Sequence, residues 1–255
     1  MRLKLKSNQV KQFKSSGVIK ITDFFTKNEI VTLKGNLLKK LKKKNSFDRY
    51  YENLNGKKYL RRIEKLSRNS KDFYKILHDR NLKKIFKQLT GKKQFLFKDK
   101  LNFKYPKSKG FNQHIDGHWH WFNKNDTKEL GWKKYGSDFL NIVIPLENVY
   151  KQNGCLYLSS KKYTNKYLGN NWKKITKNLE TNKSILKKFK YKPYPIKIGD
   201  ILVFNWKVSH YSKKNLSNSS RMIIYATFSN KKNQMKKYYL DKKNSKSTVK
   251  QKIFF

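Results

Sequence analysis

The chain has 255 residues, with 36% hydrophobic and 15% aromatic, which is room for one domain with a real core and excludes a disordered basic tail. Lys and Arg number 63 against 16 Asp and Glu, a formal charge of +47. No stretch reaches the ~18 apolar residues of a membrane helix, no apolar run follows the charged N-terminus as in a signal peptide, and the single Cys155 excludes intramolecular disulfides and multi-cysteine metal sites; a reducing cytoplasm is the expected setting.

In chain order, residues 9–25 read as a short helix, then Gly17 and a strand-like run from Val18 to Ile21. Thr26 with Glu29 three positions on is a capping box, opening a helix with Ile30, Leu33, Leu37, Leu38 and Leu41 on one face. Residues 70–90 repeat that period with Phe73, Ile76, Leu77, Leu82, Ile85, Phe86 and Leu89, and Gly91 ends it. Beyond Gly91 the period becomes two: Phe95, Phe97, Leu101 and Phe103, then the apolar run Phe139–Leu146. Asn153-Gly154 is a hairpin-type turn signal before Cys155–Leu158. Residues 161–190 read as loop plus helix; Ile201–Phe204 and Met222–Phe228 are strands; the tail from 231 is Lys-rich and loosely packed, with Tyr238, Tyr239, Phe254 and Phe255 as anchors. The expectation is a single mainly β domain over 1–255, helical over 1–91, with a β core over about 92–230, a tail over 231–255, and helices on the outside.

Five histidines occur, and three fall together at His114, His118 and His120. On an extended strand His114 and Asp116 point to the same face. Another imidazole would complete a 2-His-1-carboxylate set with open positions, the arrangement non-haem Fe(II) oxygenases use. His210, after the strand at 201–206, is the natural third ligand. His118 and His120 share the parity of His114, but Gly117 breaks the strand, so they fit the substrate mouth better. His78 sits in a helical pattern and is read as structural, and Cys155 as a small core hydrophobe. Arg221 opens the last long strand. If that strand ran back beside that of His210, its guanidinium could clamp a carboxylate by two parallel hydrogen bonds.

His114-x-Asp116, His210 and Arg221 together resemble the Fe(II)/2-oxoglutarate dioxygenases, and the phytanoyl-CoA dioxygenase family in particular. Leu101–Pro106, with Lys104, is similar to that family's Lys-bearing strand; Asn153–Leu156 to its NGCL segment; Gly199–Phe204 followed by His210 to its GDLLLF…H segment; and Val10–Phe25 with Glu29-Ile30 to its opening. The resemblance covers roughly residues 9 to 241. It implies a double-stranded β-helix (jelly roll), Fe(II) on His114, Asp116 and His210, and 2-oxoglutarate held through its distal carboxylate by Arg221 with help from Lys104. O2 would be the other cosubstrate, and succinate and CO2 the by-products of hydroxylation. Asp116 argues against halogenation, because halogenases of this superfamily lack that carboxylate. Two departures, Gln113 before the HxD histidine and Leu158–Lys162 without Pro, Gly or His, leave the substrate open.

Trp119, Trp121, Phe122, Trp132 and Tyr135 follow the HxD motif. They form either core and lid or a pocket in which His118, Trp119, His120 and Trp121 meet substrate, even an aromatic cage for a cation. The substrate class expected is a small organic anion, amine or phosphonate, or an acyl compound. The charge also suggests a nucleic-acid binder or a nucleic-acid demethylase on the same fold. Against this, only seven of the 63 basic residues are Arg, alanine occurs once, and the lysines are spread along the chain, as A/T-biased codon usage would produce. Demethylases also carry a second Arg six positions beyond the cosubstrate Arg, where this chain has Thr227.

Overall fold

The computed structural model describes residues 4–43, 47–169 and 181–244. Helix α1 (Ser7–Ser16) ends at Gly17, whose φ of 79° turns the chain into β1 (Val18–Ile21). Helix α2 (Lys27–Leu41) starts from the capping box: the Thr26 hydroxyl accepts from Glu29 N at 3.2 Å and the Glu29 carboxylate accepts from Thr26 N at 2.8 Å.

The part expected to be helical over 1–91, apart from the strand-like run at Val18–Ile21, holds a β-hairpin as well. Strands β2 (Asp48–Leu54) and β3 (Lys57–Glu64) form a hairpin closed by Asn55 and Gly56, with φ of 51° and 78°. Two positive φ angles in a two-residue loop match the twist of paired strands, which is why Asn-Gly suits it. The single helix expected over 70–90 is interrupted. After α3 (Leu66–Asn69) come α4 (Lys71–Leu77) and α5 (Arg80–Thr90), and between these two the Asp79 carboxylate caps α5 by accepting from Asn81 N and Leu82 N at 2.8 and 3.0 Å.

The β core follows: β4 (Phe95–Lys104), β5 (Phe111–Ile115), the short pair β6 (His120–Phe122) and β7 (Lys128–Leu130), β8 (Phe139–Pro145) and β9 (Leu156–Ser159). Helices α6 (Lys161–Leu168) and α7 (Lys183–Leu186) precede β10 (Tyr191–Tyr194), β11 (Ile201–Asn205), β12 (Ser209–Ser212), β13 (Arg221–Ser229) and α8 (Gln234–Asn244). Seven strands form one antiparallel sheet in the order β1-β11-β8-β13-β4-β3-β2, and four form a second, β10-β9-β12-β5. The sheets face each other through Val18, Val143, Leu202, Phe204 and Ile223 on one side and Cys155, Leu156 and Leu158 on the other. This is a jelly roll with helical additions. The opposite face of the large sheet carries Ile142, Ile144, Val203 and Ile224 into a cluster with Ile30, Leu33, Leu37, Ile85 and Phe86 of the helices. Both faces of β8 are therefore covered, and all seven of its residues are buried.

Three further expectations are corrected. Asn153-Gly154 does not close a hairpin: β8 pairs with β11 and β13, whereas β9 pairs with β10 and β12, so the turn carries the chain from one sheet to the other. Arg221 does not lie on a strand beside that of His210: β13 pairs with β4 and β8 in the large sheet, and β12 belongs to the small one. The tail is not loose over its described part. In α8, Tyr239 is buried and its hydroxyl donates to Asp99 O at 3.3 Å, while Lys242 Nζ donates to Glu64 at 2.8 Å. Phe254 and Phe255 lie outside the described residues.

Candidate metal centre and its cavities

Strand β5 runs antiparallel to β12, and the register makes His114 and His210 direct partners. Their rings lie 4.2 Å apart, centroid to centroid. Asp116 follows the end of β5, and its Oδ2 is 3.7 Å from His210 Nε2. One ligand atom from each of His114, Asp116 and His210 falls within 4.8 Å of the others. His118 and His120 do not join this group.

The tautomers are set by the backbone. His114 Nδ1 lies 2.7 Å from Asn112 O and His210 Nδ1 3.1 Å from Val208 O. A carbonyl oxygen only accepts, so both Nδ1 atoms carry the proton and both Nε2 atoms keep a lone pair. Burial, with His210 nearby, lowers His114 to about 3, and burial lowers His210 as well. Burial alone would raise Asp116, but His210, Lys98 and His114 outweigh it and hold the carboxyl at about 2. The set is therefore two neutral imidazoles and one carboxylate, the donor chemistry of a divalent transition ion.

Asn141 had no role in the sequence reading. It is the lone polar residue among the buried apolar ones of β8. Its Nδ2 donates to Asp116 Oδ2 at 2.9 Å, and its Oδ1 accepts from Thr227 Oγ1 at 2.7 Å. An amide side chain inside so apolar a strand was the signal, because a buried amide must find partners. Thr227 is thereby committed to orienting the carboxylate.

Two cavities adjoin the triad. The inner one, about 50 Å³, lies between the sheets and is bounded by His114, Asp116 and His210 with Asn102, Tyr225 and Phe204. The outer one, about 150 Å³, opens past Asp116 to His118, Trp119, Trp132 and Tyr238. Lys98 and Lys100 line both. Neither lysine was singled out in the sequence. They occupy the alternate positions of β4 that a period-two pattern assigns to the polar face, and that face looks into the protein. Burial pushes Lys98 down to about 7 and Lys100 to about 8.

Arg221 and Lys104 face each other as ladder partners on β13 and β4, both 1% exposed. Their heads are occupied. Arg221 donates from Nε to Asn153 O at 2.9 Å and from Nη2 to Gly154 O at 2.6 Å; Lys104 Nζ donates to Ser212 Oγ at 2.9 Å and Lys213 O at 2.6 Å. Neither lines the inner or the outer cavity; they stand on the same inward stripes as Tyr225 and Asn102, toward the end of the sheet. Gly154 makes their packing possible: its φ is 81°, and a Cβ there would come within 2.8 Å of Lys104 Nζ and 2.6 Å of Lys213 O.

Of the four residues read as the substrate mouth, His118 and Trp119 line the outer cavity. His118 is buried, with Nδ1 2.7 Å from Thr181 Oγ1. His120 and Trp121 do not line it, because β6 pairs with β7 and leaves the β5 direction after Gly117. Trp121 turns into an aromatic cluster and donates its indole N–H to Gly131 O at 3.0 Å. An aromatic cage for a foreign cation is not what these rings form: Lys98 Nζ sits 3.7 Å from the Trp132 centroid and Lys134 Nζ 4.5 Å from that of Trp121. His78, at the C-terminal end of α4, stacks on Tyr74 with ring centroids 3.9 Å apart and is not part of the triad.

Residues 13–223 match the phytanoyl-CoA dioxygenase (PhyH) family. The 2-aminoethylphosphonate dioxygenase of an uncultured bacterium, HF130_AEPn_1, is 26% identical over 196 residues, covering 74% of this chain and 66% of that protein. The methylphosphonate hydroxylase of Gimesia maris is 24% identical over 163 residues, 63% of this chain and 56% of its own. The aligned stretch thus spans less than two thirds of either relative. Among solved structures, the non-heme alpha ketoglutarate dependent carbocyclase SnoK of nogalamycin biosynthesis has a TM-score of 0.69 at 15% identity, over 88% of this chain and 83% of that one. EctD from S. alaskensis with 2-oxoglutarate and 5-hydroxyectoine has a TM-score of 0.67 at 17% identity, over 88% and 76%. With the fold and a family match over most of its length in agreement, this chain belongs to the phytanoyl-CoA dioxygenase family.

Proposed function

We propose that this chain is an Fe(II)/2-oxoglutarate-dependent dioxygenase that hydroxylates a small organic substrate. The observation that carries the reading is the convergence of His114, Asp116 and His210, with their ligand atoms within 4.8 Å of one another. Bound there, Fe(II) with 2-oxoglutarate and O2 would supply the oxidising power, releasing succinate and CO2 as the substrate is hydroxylated.

The protein's own residues prepare that chemistry. Two imidazoles held neutral, each with Nδ1 tied to a carbonyl, offer Nε2 to the metal without first losing a proton. Asn141 holds the third ligand, Asp116, in place. Arg221 and Lys104, ladder partners on β13 and β4, are the groups assigned to the far carboxylate of 2-oxoglutarate, which would take the place of the protein oxygens their heads now bond. The apolar walls Phe204, Leu156 and Trp132 limit water around the reacting centre. The substrate enters by the outer cavity, over His118 and Trp119. Its class is an organic anion, an amine or phosphonate, or an acyl compound; the phosphonate enzymes among the relatives support the second of these. The setting proposed is the cytoplasm, in keeping with one buried free cysteine; no described helix is long and apolar enough to cross a membrane.

The test is anaerobic titration with Fe(II) and then 2-oxoglutarate, followed by visible absorption and by succinate release on admitting O2, with His210→Ala as control. A charge-transfer band and slow succinate formation in the wild type alone are expected. A wild type that binds no 2-oxoglutarate and matches His210→Ala overturns the reading.

A further inference from the structure

On the inward face of β4 stand Lys98, Lys100, Asn102 and Lys104, and the first two reach both cavities beside the triad. Their placement depends on a bulge. The β13–β4 ladder pairs Thr227 with Lys98 and Phe228 with Leu96, leaving Phe97 without a partner. The extra residue sends Leu96 to the helical layer and Phe97 to the aromatic cluster beside Trp132, and it starts the Lys98–Lys104 alternation facing inward.

Among the described residues neither ammonium has an oxygen acceptor. Lys98 Nζ rests 3.7 Å from the Trp132 ring centroid and Lys100 Nζ 5.8 Å from that of Tyr225. The neighbouring charges are already matched to one another. Glu64 pairs with Arg62 at 3.1 Å and with Lys242 at 2.8 Å. The Asp99 carboxylate points the other way, accepting from Leu66 N at 2.6 Å, from Ser67 N at 3.1 Å and from the Ser67 hydroxyl. Asp116 is turned to His210 and Asn141. Two half-buried amino groups therefore face the cavities beside the triad with no hydrogen-bond acceptor among the described residues, since the nearby Asp116 carboxylate is committed to His210 and Asn141, and a bound anion would supply that acceptor.

Resting on the dioxygenase reading, we propose that Lys98 and Lys100 together bind a doubly charged tetrahedral oxyanion, of phosphonate or phosphate type, that is part of the substrate. Positions i and i+2 on a strand lie about 6.6 Å apart on one face, so two long flexible side chains converge on a single group. A single carboxylate offers one charge, whereas a phosphonate dianion offers two charges over three acceptor oxygens and matches both ammonium heads. An anion held there lies along the wall that leads from the outer cavity to Asp116, so the carbon next to it is presented toward the triad. The Trp132 face against Lys98 keeps that lysine extended along the wall.

The dianion that could compete for this site is 2-oxoglutarate itself, and the experiment separates the two. Protein loaded anaerobically with Fe(II) and 2-oxoglutarate is titrated calorimetrically with methylphosphonate, and with methanesulfonate as the singly charged shape match. Lys98→Gln, Lys100→Gln and the double variant are compared, with Lys98→Arg as the charge-keeping control. The expected result is methylphosphonate binding at least ten times tighter than methanesulfonate. Each Gln variant should lose about tenfold or more, the double variant all measurable binding, and Lys98→Arg only a few-fold; 2-oxoglutarate affinity should stay within about threefold throughout. Removing a half-buried amino group that has no acceptor should also leave the ligand-free Tm unchanged or higher, which guards against misfolding as the cause. Loss of 2-oxoglutarate binding with methylphosphonate unaffected would assign the lysines to the cosubstrate and overturn the proposal. So would equal affinity for the two probes, or no methylphosphonate binding by a wild type that binds Fe(II) and 2-oxoglutarate. A wild type that binds neither Fe(II) nor 2-oxoglutarate instead overturns the dioxygenase reading on which the proposal rests.

Discussion

His114 and His210, far apart in the chain, are direct partners across the β5–β12 ladder, and their rings stand 4.2 Å apart. Two imidazoles brought this close by backbone pairing are held in position before any ion arrives. Replacing either by Ala is expected to lower Fe(II) affinity by more than about 100-fold, since one of three ligands is lost where loss of an outer-sphere partner alone costs about 10–100-fold. Anaerobic Fe(II) titration measures this, and a variant that keeps wild-type affinity would remove that histidine from the ligand set.

Asn141 tests the shell behind the ligands. In Asn141→Ala, Asp116 loses the amide that donates to it and Thr227 loses its acceptor. Fe(II) affinity should fall by about 10–100-fold while the fold survives. Thr227→Val should have a smaller effect in the same direction, because it frees the amide without removing it.

Gly154→Ala forces a Cβ into a left-handed backbone position and against Lys104 Nζ and Lys213 O. A cost of about 1–3 kcal/mol in stability is expected from the backbone conformation. 2-Oxoglutarate binding should weaken because Arg221 and Lys104 are displaced, while Fe(II) binding, which uses neither, should change little. Parallel Fe(II) and 2-oxoglutarate titrations beside thermal unfolding resolve the two effects.

Glu64 ties α8 to the wall of the outer cavity. Burial alone would raise its pKa, but Arg62 and Lys242 outweigh that and bring it below its ordinary value. A carboxyl lower in the folded state than in the unfolded one contributes stability above the unfolded value, about 4.3, and loses it as pH falls through the folded value. Glu64→Gln should therefore lower Tm at pH 7, and the gap should narrow as pH falls below the ordinary carboxylate range and through the lowered folded-state value. About 3 kcal/mol is the scale expected for breaking a buried pair of this kind. A gap that does not narrow at all on acidification would show that Glu64 acts through packing instead.

The triad, the Thr26–Glu29 cap and the main strands were legible because each depends on local rules: same-face pairing at i and i+2, a capping geometry spanning three residues, and apolar periodicity. The β2–β3 hairpin was legible in principle from Asn55-Gly56 and was passed over, while the identical dipeptide at Asn153-Gly154 misled. Asn-Gly specifies a local backbone turn; whether the flanking strands then pair depends on partners elsewhere, and β9 finds β10 and β12.

Side-chain alternation says which residues of a strand share a face, and it says nothing about what covers that face. Leu101 and Phe103 announce one side of β4 as buried; the alternation puts Lys98, Lys100, Asn102 and Lys104 together on the other without saying what covers it. Only the packing of β5, β9 and β12 opposite them, together with the bulge at Phe97, turned that polar side into the wall of the site. The same holds for Arg221, whose place across the barrel from His210 follows from which sheet β13 joins. Local chemistry marks the candidate metal ligands in the chain; long-range strand order decides which charges surround them.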